Sequence, residues 1–147
     1  MNAEDWKWTF DRQIPSSPDV GPEVIGPLLE ALKKFLWNQD DQFAIQMAVE
    51  EALMNAIKHG NESNPDKPVH VVLKFSDTQF YGKITDQGVG FDPSCICDPT
   101  TDENVDKASG RGVMLMKNFV DTVSYNACGN EVEMTKQRSS NDESPRS

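Results

Sequence analysis

What this chain lacks narrows it before any motif is read. No apolar run approaches the ~20 residues that a helix needs to cross a bilayer. Cations are scarce: Lys and Arg total 14 against 24 Asp and Glu, a net charge of -10. That balance argues against a nucleic-acid partner, which needs clustered Lys and Arg along its phosphates. Any anion held here must be met by local cations, a metal or backbone amides. Cysteine is sparse and odd in number (Cys95, Cys97, Cys128), which suits a reducing compartment. With only His59 and His70 to join them, Cys95-Ile-Cys97 does not make a four-ligand zinc site, and the cysteines read as incidental. The opening residues, Met1 to Trp6, offer neither a basic nor an apolar leader, so a cytoplasmic location is expected. No internal repeat is visible.

What is there suits one α/β domain over 6–136 and a polar tail over 137–147 that has no apolar residue to bury. Residues 6–14 alternate Trp6, Trp8 and Phe10 with Lys7, Thr9 and Asp11, the pattern of a half-buried strand. A turn over 15–22 leads to a helix with Leu28, Leu29, Leu32, Phe35 and Leu36 as its buried stripe. Proline is tolerated only in a first helical turn, so Gly26-Pro27 predicts a regular start near Pro27. Asp40 or Asp41 is the expected cap of a second helix, whose apolar positions include Phe43, Met47, Leu53 and Ile57. Residues 69–75 and 80–85 predict a hairpin, and 122–127 with 131–136 a second strand pair. Between them lies a long loop, 92–110, and then a helix over 113–119 in which Met114 and Met116 read as core.

Three stretches carry candidate chemistry. On the second helix Glu51 and Asn55 are four residues apart and share a face, beside the small Ala48 and Ala52. His59 follows one turn further along that line, next to Lys58, with Gly60 and Asn61 as a C-cap. Asp86-x-Gly88-x-Gly90 leaves a strand end: a carboxylate there can accept from an exocyclic amine, and the glycines admit a flat ring and hinge a loop. Gly110-Arg111-Gly112 precedes a helix, where free N–H groups and the dipole make an anion site, with Arg111 and Lys107 as cations. Read singly, a Glu/Asn pair is usually a solvated face and a Gly-rich Asp segment a turn.

In this order and spacing the three stretches resemble the nucleotide-binding boxes of the GHKL ATPases, the superfamily of histidine kinases, Hsp90 chaperones, type II topoisomerases and mismatch-repair ATPases. The resemblance is strongest to the RsbW-type anti-sigma-factor serine/threonine kinases. It runs from about Phe10 to Lys136, through Ile14-Pro-Ser-Ser-Pro-Asp19, Ala48-Val-Glu-Glu-Ala52, Gly90-Phe-Asp-Pro93 and Val120-Asp-x-Val-x-Tyr125.

The resemblance implies a Bergerat-type two-layer sandwich, a mixed and mostly antiparallel sheet covered on one face by three helices, with 92–110 as a lid. By position, Asn55 would bind Mg2+ on the ATP phosphates, and Glu51 would be the general base for a serine hydroxyl. Asp86, with Gly88 and Gly90, would read adenine. Gly110, Arg111 and Gly112 would hold phosphates, with Lys58, His59 and Lys107 nearby. The implied partners are a small anti-anti-sigma (STAS-type) substrate and a sigma factor, with homodimerisation a further family expectation. Two departures stand out: Gly26-Pro27 falls in the first family helix, and the acidic loop 98–106 offers a γ-phosphate few cations. Two other readings share the same motifs. One is a non-catalytic, nucleotide-gated binder, for which Glu51 would have no task. The other is a stand-alone histidine-kinase catalytic module, which lacks an evident phospho-acceptor because His70 falls in a predicted strand.

Overall fold

A computed structural model describes residues 5–61, 64, 66–87, 116–126 and 130–139 (for Pro18, His59 and Gly60, the backbone alone). Strand alternation does most of the organising. In β2 (Val69–Phe75) and β3 (Gln79–Thr85) every second side chain is buried, so Val69, Val71, Leu73, Phe75, Phe80 and Ile84 form one apolar face. β1 (Trp8–Ile14) adds Phe10 and Ile14, and β4 (Thr122–Tyr125) and β5 (Glu131–Gln137) add Val123, Val132 and Met134. The five strands lie in the order β1-β2-β3-β5-β4, and every pairing among the described residues is antiparallel. Register is fixed by burial: a one-residue slip of β2 against β1 would turn the whole apolar set into water.

Helices cover that one face. α1 (Gly21–Lys34) buries Val24, Ile25, Leu28, Ala31 and Leu32, and α2 (Gln39–Met54) buries Ile45, Val49, Leu53 and three neighbours. Residues 116–119 are also helical, and Met116 is fully buried, as its sequence context predicts. At one end of the core Phe75 meets Trp8 in a stack and Phe35 and Trp37 edge-on.

Four expectations need correction. α1 begins at Gly21 and carries Pro27 in its interior. Gly26 and Pro27 both lie on the exposed side, where water can serve the Glu23 carbonyl that proline leaves without a donor. Leu36 is 73% exposed, because the helix ends before it: Leu36 N–H bonds Lys33 O and Trp37 N–H bonds Leu32 O, a Schellman closure with Leu36 at φ 67. Phe43 is 56% exposed, edge-on to Phe119, while the buried line of α2 runs through Ile45. The α2 cap is Asn38, whose Oδ1 accepts from Asp41 N–H at 2.7 Å, rather than either aspartate.

Asp41 is instead buried. Its carboxylate accepts from Ser139 N–H and Oγ, both at 2.8 Å, and faces Lys136 Nζ at 3.4 Å. Arg138 donates to the carbonyls of Phe35 and Leu36 and lies over Trp37. β5 thus runs to Gln137, while Arg138 and Ser139 pack against the start of α2, and the rest of the expected tail, 140–147, lies outside the described residues. No helix among the described residues is long and apolar enough to cross a membrane.

Candidate functional site

At Asn55 the winding of α2 changes. Residues Asn55–Gly60 form a π-helical turn, closed where Asn61 N–H reaches back five residues to Ala56 O at 2.8 Å. Such turns are uncommon and concentrate at functional sites. Glu51 stands on the last α-helical turn and Asn55 at its end, with Ala48, Ala52 and Ala56 buried alongside. The wider π winding takes His59 off the line that an uninterrupted α-helix would draw through Glu51 and Asn55. Lys58 projects into solvent.

Asp86 follows β3 directly and is buried. Its backbone is pinned to the neighbouring strand connection: Asp86 N–H donates to Asn130 O at 2.8 Å, and Asn130 Nδ2 donates to Asp86 O at 3.2 Å. Gln87 N–H donates to Asn61 Oδ1 at 2.7 Å.

Tyr125, the last residue of β4, links these groups. Burial pushes its phenol up to about 12, the Asn55 amide draws it partly back, and the carboxylates of Asp86 and Glu51 push it further up. The Tyr125 hydroxyl is thus within electrostatic range of Asn55, Asp86 and Glu51. The Asn55 amide and the Tyr125 hydroxyl stop short of a well-formed hydrogen bond. Asn55 Nδ2 is buried and has no partner among the described residues.

Of the sequence-derived set, Glu51 and Asn55 share the end of α2, Asp86 is buried at the end of β3 with its following peptide held by Asn61, and Lys58 is exposed. For His59 only the backbone is described, and Gly88, Gly90, Lys107, Gly110, Arg111 and Gly112 lie outside the described residues, as do the three cysteines. Tyr125 and Asn61 were not singled out as site residues from sequence. Tyr125 had a signal, since it closes the strand beside the segment that pairs with β3. Asn61 resembled a helix cap and nothing more. Among the described residues no three His, Cys, Asp or Glu side chains are grouped to hold a metal. One amide oxygen with substrate phosphates and water is instead a donor set that fits Mg2+.

Comparison with known proteins accords with this geometry. Residues 14–136 match the histidine kinase-like ATPase domain. The anti-sigma F factor of Bacillus velezensis is 34% identical over 106 residues, covering 68% of this chain and 72% of that protein. That of Bacillus subtilis is also 34% identical, with the same coverage. In three dimensions the chain resembles a Mycobacterium tuberculosis protein crystallised as its RsbU and RsbW domains, with TM-score 0.58 and 14% identity. That likeness covers 90% of this chain and 32% of the other, about a third of its length. With its sheet and helical layer in place, and a match that runs over residues 14–136, this protein belongs to the histidine kinase-like ATPase family.

Proposed function

We propose that this protein is a cytoplasmic, ATP-dependent serine kinase of the anti-sigma type. It phosphorylates a small anti-anti-sigma protein and, in another state, sequesters a sigma factor. The observation that carries this reading is the geometry at the end of α2: Glu51 and Asn55 stand four residues apart where the helix widens into a π turn, and Asn61 after that turn holds the peptide that follows the buried Asp86. A base reader, a phosphate-side amide and a carboxylate suited to proton removal then occupy one site. The names of the anti-sigma F factor relatives support the choice of partners.

In this reading Asp86 accepts from the adenine amine, and Asn55 supplies an oxygen to Mg2+, which would neutralise phosphate charge. The partner's serine oxygen attacks the γ-phosphorus. The bond from that phosphorus to the β,γ-bridging oxygen breaks, and ADP departs with the electron pair. Glu51 takes the serine proton. Few side chains are needed, because phosphoryl transfer is mostly positioning and charge stabilisation. Gly110, Arg111, Gly112, Lys107, Lys58 and His59 are assigned to the phosphate side, Gly88 and Gly90 to the base side.

The test is intact-mass analysis of a small anti-anti-sigma protein incubated with Mg-ATP and either wild type or Glu51→Ala. One phosphate on a serine is expected with wild type, and a rate lower by about 10²–10⁴-fold with the variant. Asn55→Ala is expected to weaken ATP binding itself. ATP binding without phosphate transfer would overturn the kinase reading and leave a nucleotide-gated binder.

A further inference from the structure

Asn61 is completely buried, and each polar atom of its side chain is engaged. Oδ1 accepts from Gln87 N–H at 2.7 Å. Nδ2 donates to Ser16 Oγ at 2.8 Å and to Lys67 O at 2.8 Å, with Pro68 O further off at 3.2 Å. Ser16 Oγ in turn donates to Lys67 O. These contacts settle the amide's orientation by chemistry, because Gln87 offers only a hydrogen and Lys67 and Pro68 only lone pairs. One side chain thereby ties together the residues after β1, the entry to β2 and the exit of β3. Its own backbone N–H closes the π turn that begins at Asn55.

The grip falls one residue past Asp86. The sheet side holds the same peptide through Asn130, so Asp86 is clamped between two asparagines. The Asn61 side connects it to the segment carrying Asn55. Everything that bonds the Asn61 side chain is uncharged: a serine hydroxyl, two carbonyls and one peptide N–H. A group that presents an acceptor on one edge and a donor on the other, at this length, is asparagine or a protonated aspartic acid.

We propose that Asn61 is a positioning residue for recognition of the nucleotide base, setting where the Asp86 carboxylate stands relative to the π turn. The inference rests on the reading of Asp86 as the group that accepts from an exocyclic amine. It implies that base discrimination and phosphate-side geometry are coupled through one buried amide.

The probe is a pair of nucleotides, ATP and inosine triphosphate, the second carrying an oxygen where ATP has its exocyclic amine. Affinities of both are measured calorimetrically for wild type and Asn61→Asp at matched pH. At about pH 8 the ionised aspartate repels the Lys67 and Pro68 carbonyls, and the preference for ATP is expected to fall about tenfold. As pH drops to about 6, the buried acid takes up a proton, regains a donor edge and restores the preference relative to wild type. An amide-to-ester substitution at Gln87 deletes the N–H that Asn61 holds, with Asn130→Ala as the control for the weaker Asp86 carbonyl it leaves, and decides the matter if Asn61→Asp does not fold. It too should lower the preference. An unchanged ratio in either folded variant, or equal weakening of both nucleotides, overturns the role of Asn61. Wild type that does not distinguish the two nucleotides overturns the base reading of Asp86, and this proposal with it.

Discussion

The two ends of α2 are built on opposite principles. At its N-terminal end Asn38 caps the helix, and the buried Asp41 carboxylate is saturated by Ser139 and Lys136. At its C-terminal end the backbone loosens into a π turn, Asn55 Nδ2 has no partner among the described residues, and two carboxylates bear on one half-buried phenol. A charge taken out of water is tolerable only when it is paired and bonded, as Asp41 is. Among the described residues the Trp37 indole N–H, beside Asn38, is left without a partner just as the Asn55 amide nitrogen is. Only at Asn55 does the unpartnered group adjoin a π turn, an arrangement that weakens a fold but suits a ligand. In the proposed reading, stability resides at one end of the helix and chemistry at the other.

The hardest test of this division is Asp41→Ala. It strands the Lys136 ammonium and the Ser139 donors, and should cost about 3 kcal/mol in urea unfolding. ATP affinity measured well below the unfolding midpoint should not change. An affinity loss matching the stability loss would show that the two ends are not separable.

Tyr125→Phe probes the opposite end with a smaller effect. The Tyr125 phenol ordinarily titrates at 10.0 and is pushed up to about 12 here, so the folded protein holds that proton more tightly than the unfolded chain. The resulting stability is whole below about pH 10 and drains away as pH rises to about 12, a change on the order of 2–3 kcal/mol. Alkaline unfolding should therefore flatten over that window in Tyr125→Phe. The comparison is best made in a Tyr81→Phe background, because burial and a hydrogen bond to Glu133 also raise the other tyrosine. Phenolate absorbance rising near the ordinary value would mean that this end is open to water.

Leu36→Gly sharpens the contrast from the stable end. A leucine at positive φ is strained, and glycine relieves that strain while raising the entropy of the unfolded chain. The expected outcome is a gain of about 1 kcal/mol in thermal or urea unfolding, with no change in nucleotide binding. A loss would mean that the exposed Leu36 side chain has contacts worth more than the strain.

Much of this was legible in sequence because it is local. Alternation located β2 and β3 almost to the residue, and the four-residue spacing of Glu51 and Asn55 placed both at the end of one helix. The misreadings share a cause. Phe43 and Leu36 fit a helical period, but period alone does not say where a helix stops or which edge of its stripe meets the sheet. Asp41 looked like a cap because its true partners, Lys136 and Ser139, lie nearly a hundred positions away. Pro27 was judged by backbone chemistry alone, although the exposed side of α1 absorbs its missing donor. Asn61 and Tyr125 act through contacts among strand ends, and no motif within a single segment encodes such a meeting.

The pairing of Trp8 with Phe75 at one end of β1 and Ile14 with Val69 at the other carries a kinetic consequence. Both helices and the π turn lie within the loop that this pairing closes. Local contacts allow α1 and α2 to form early, but their apolar faces gain a sheet to pack on only after a long loop has been closed. During synthesis the first strand must wait, unpaired, until the ribosome has delivered the chain through Phe75. The charged Asp11 and Arg12 at its centre give that waiting edge some protection against pairing with the wrong chain.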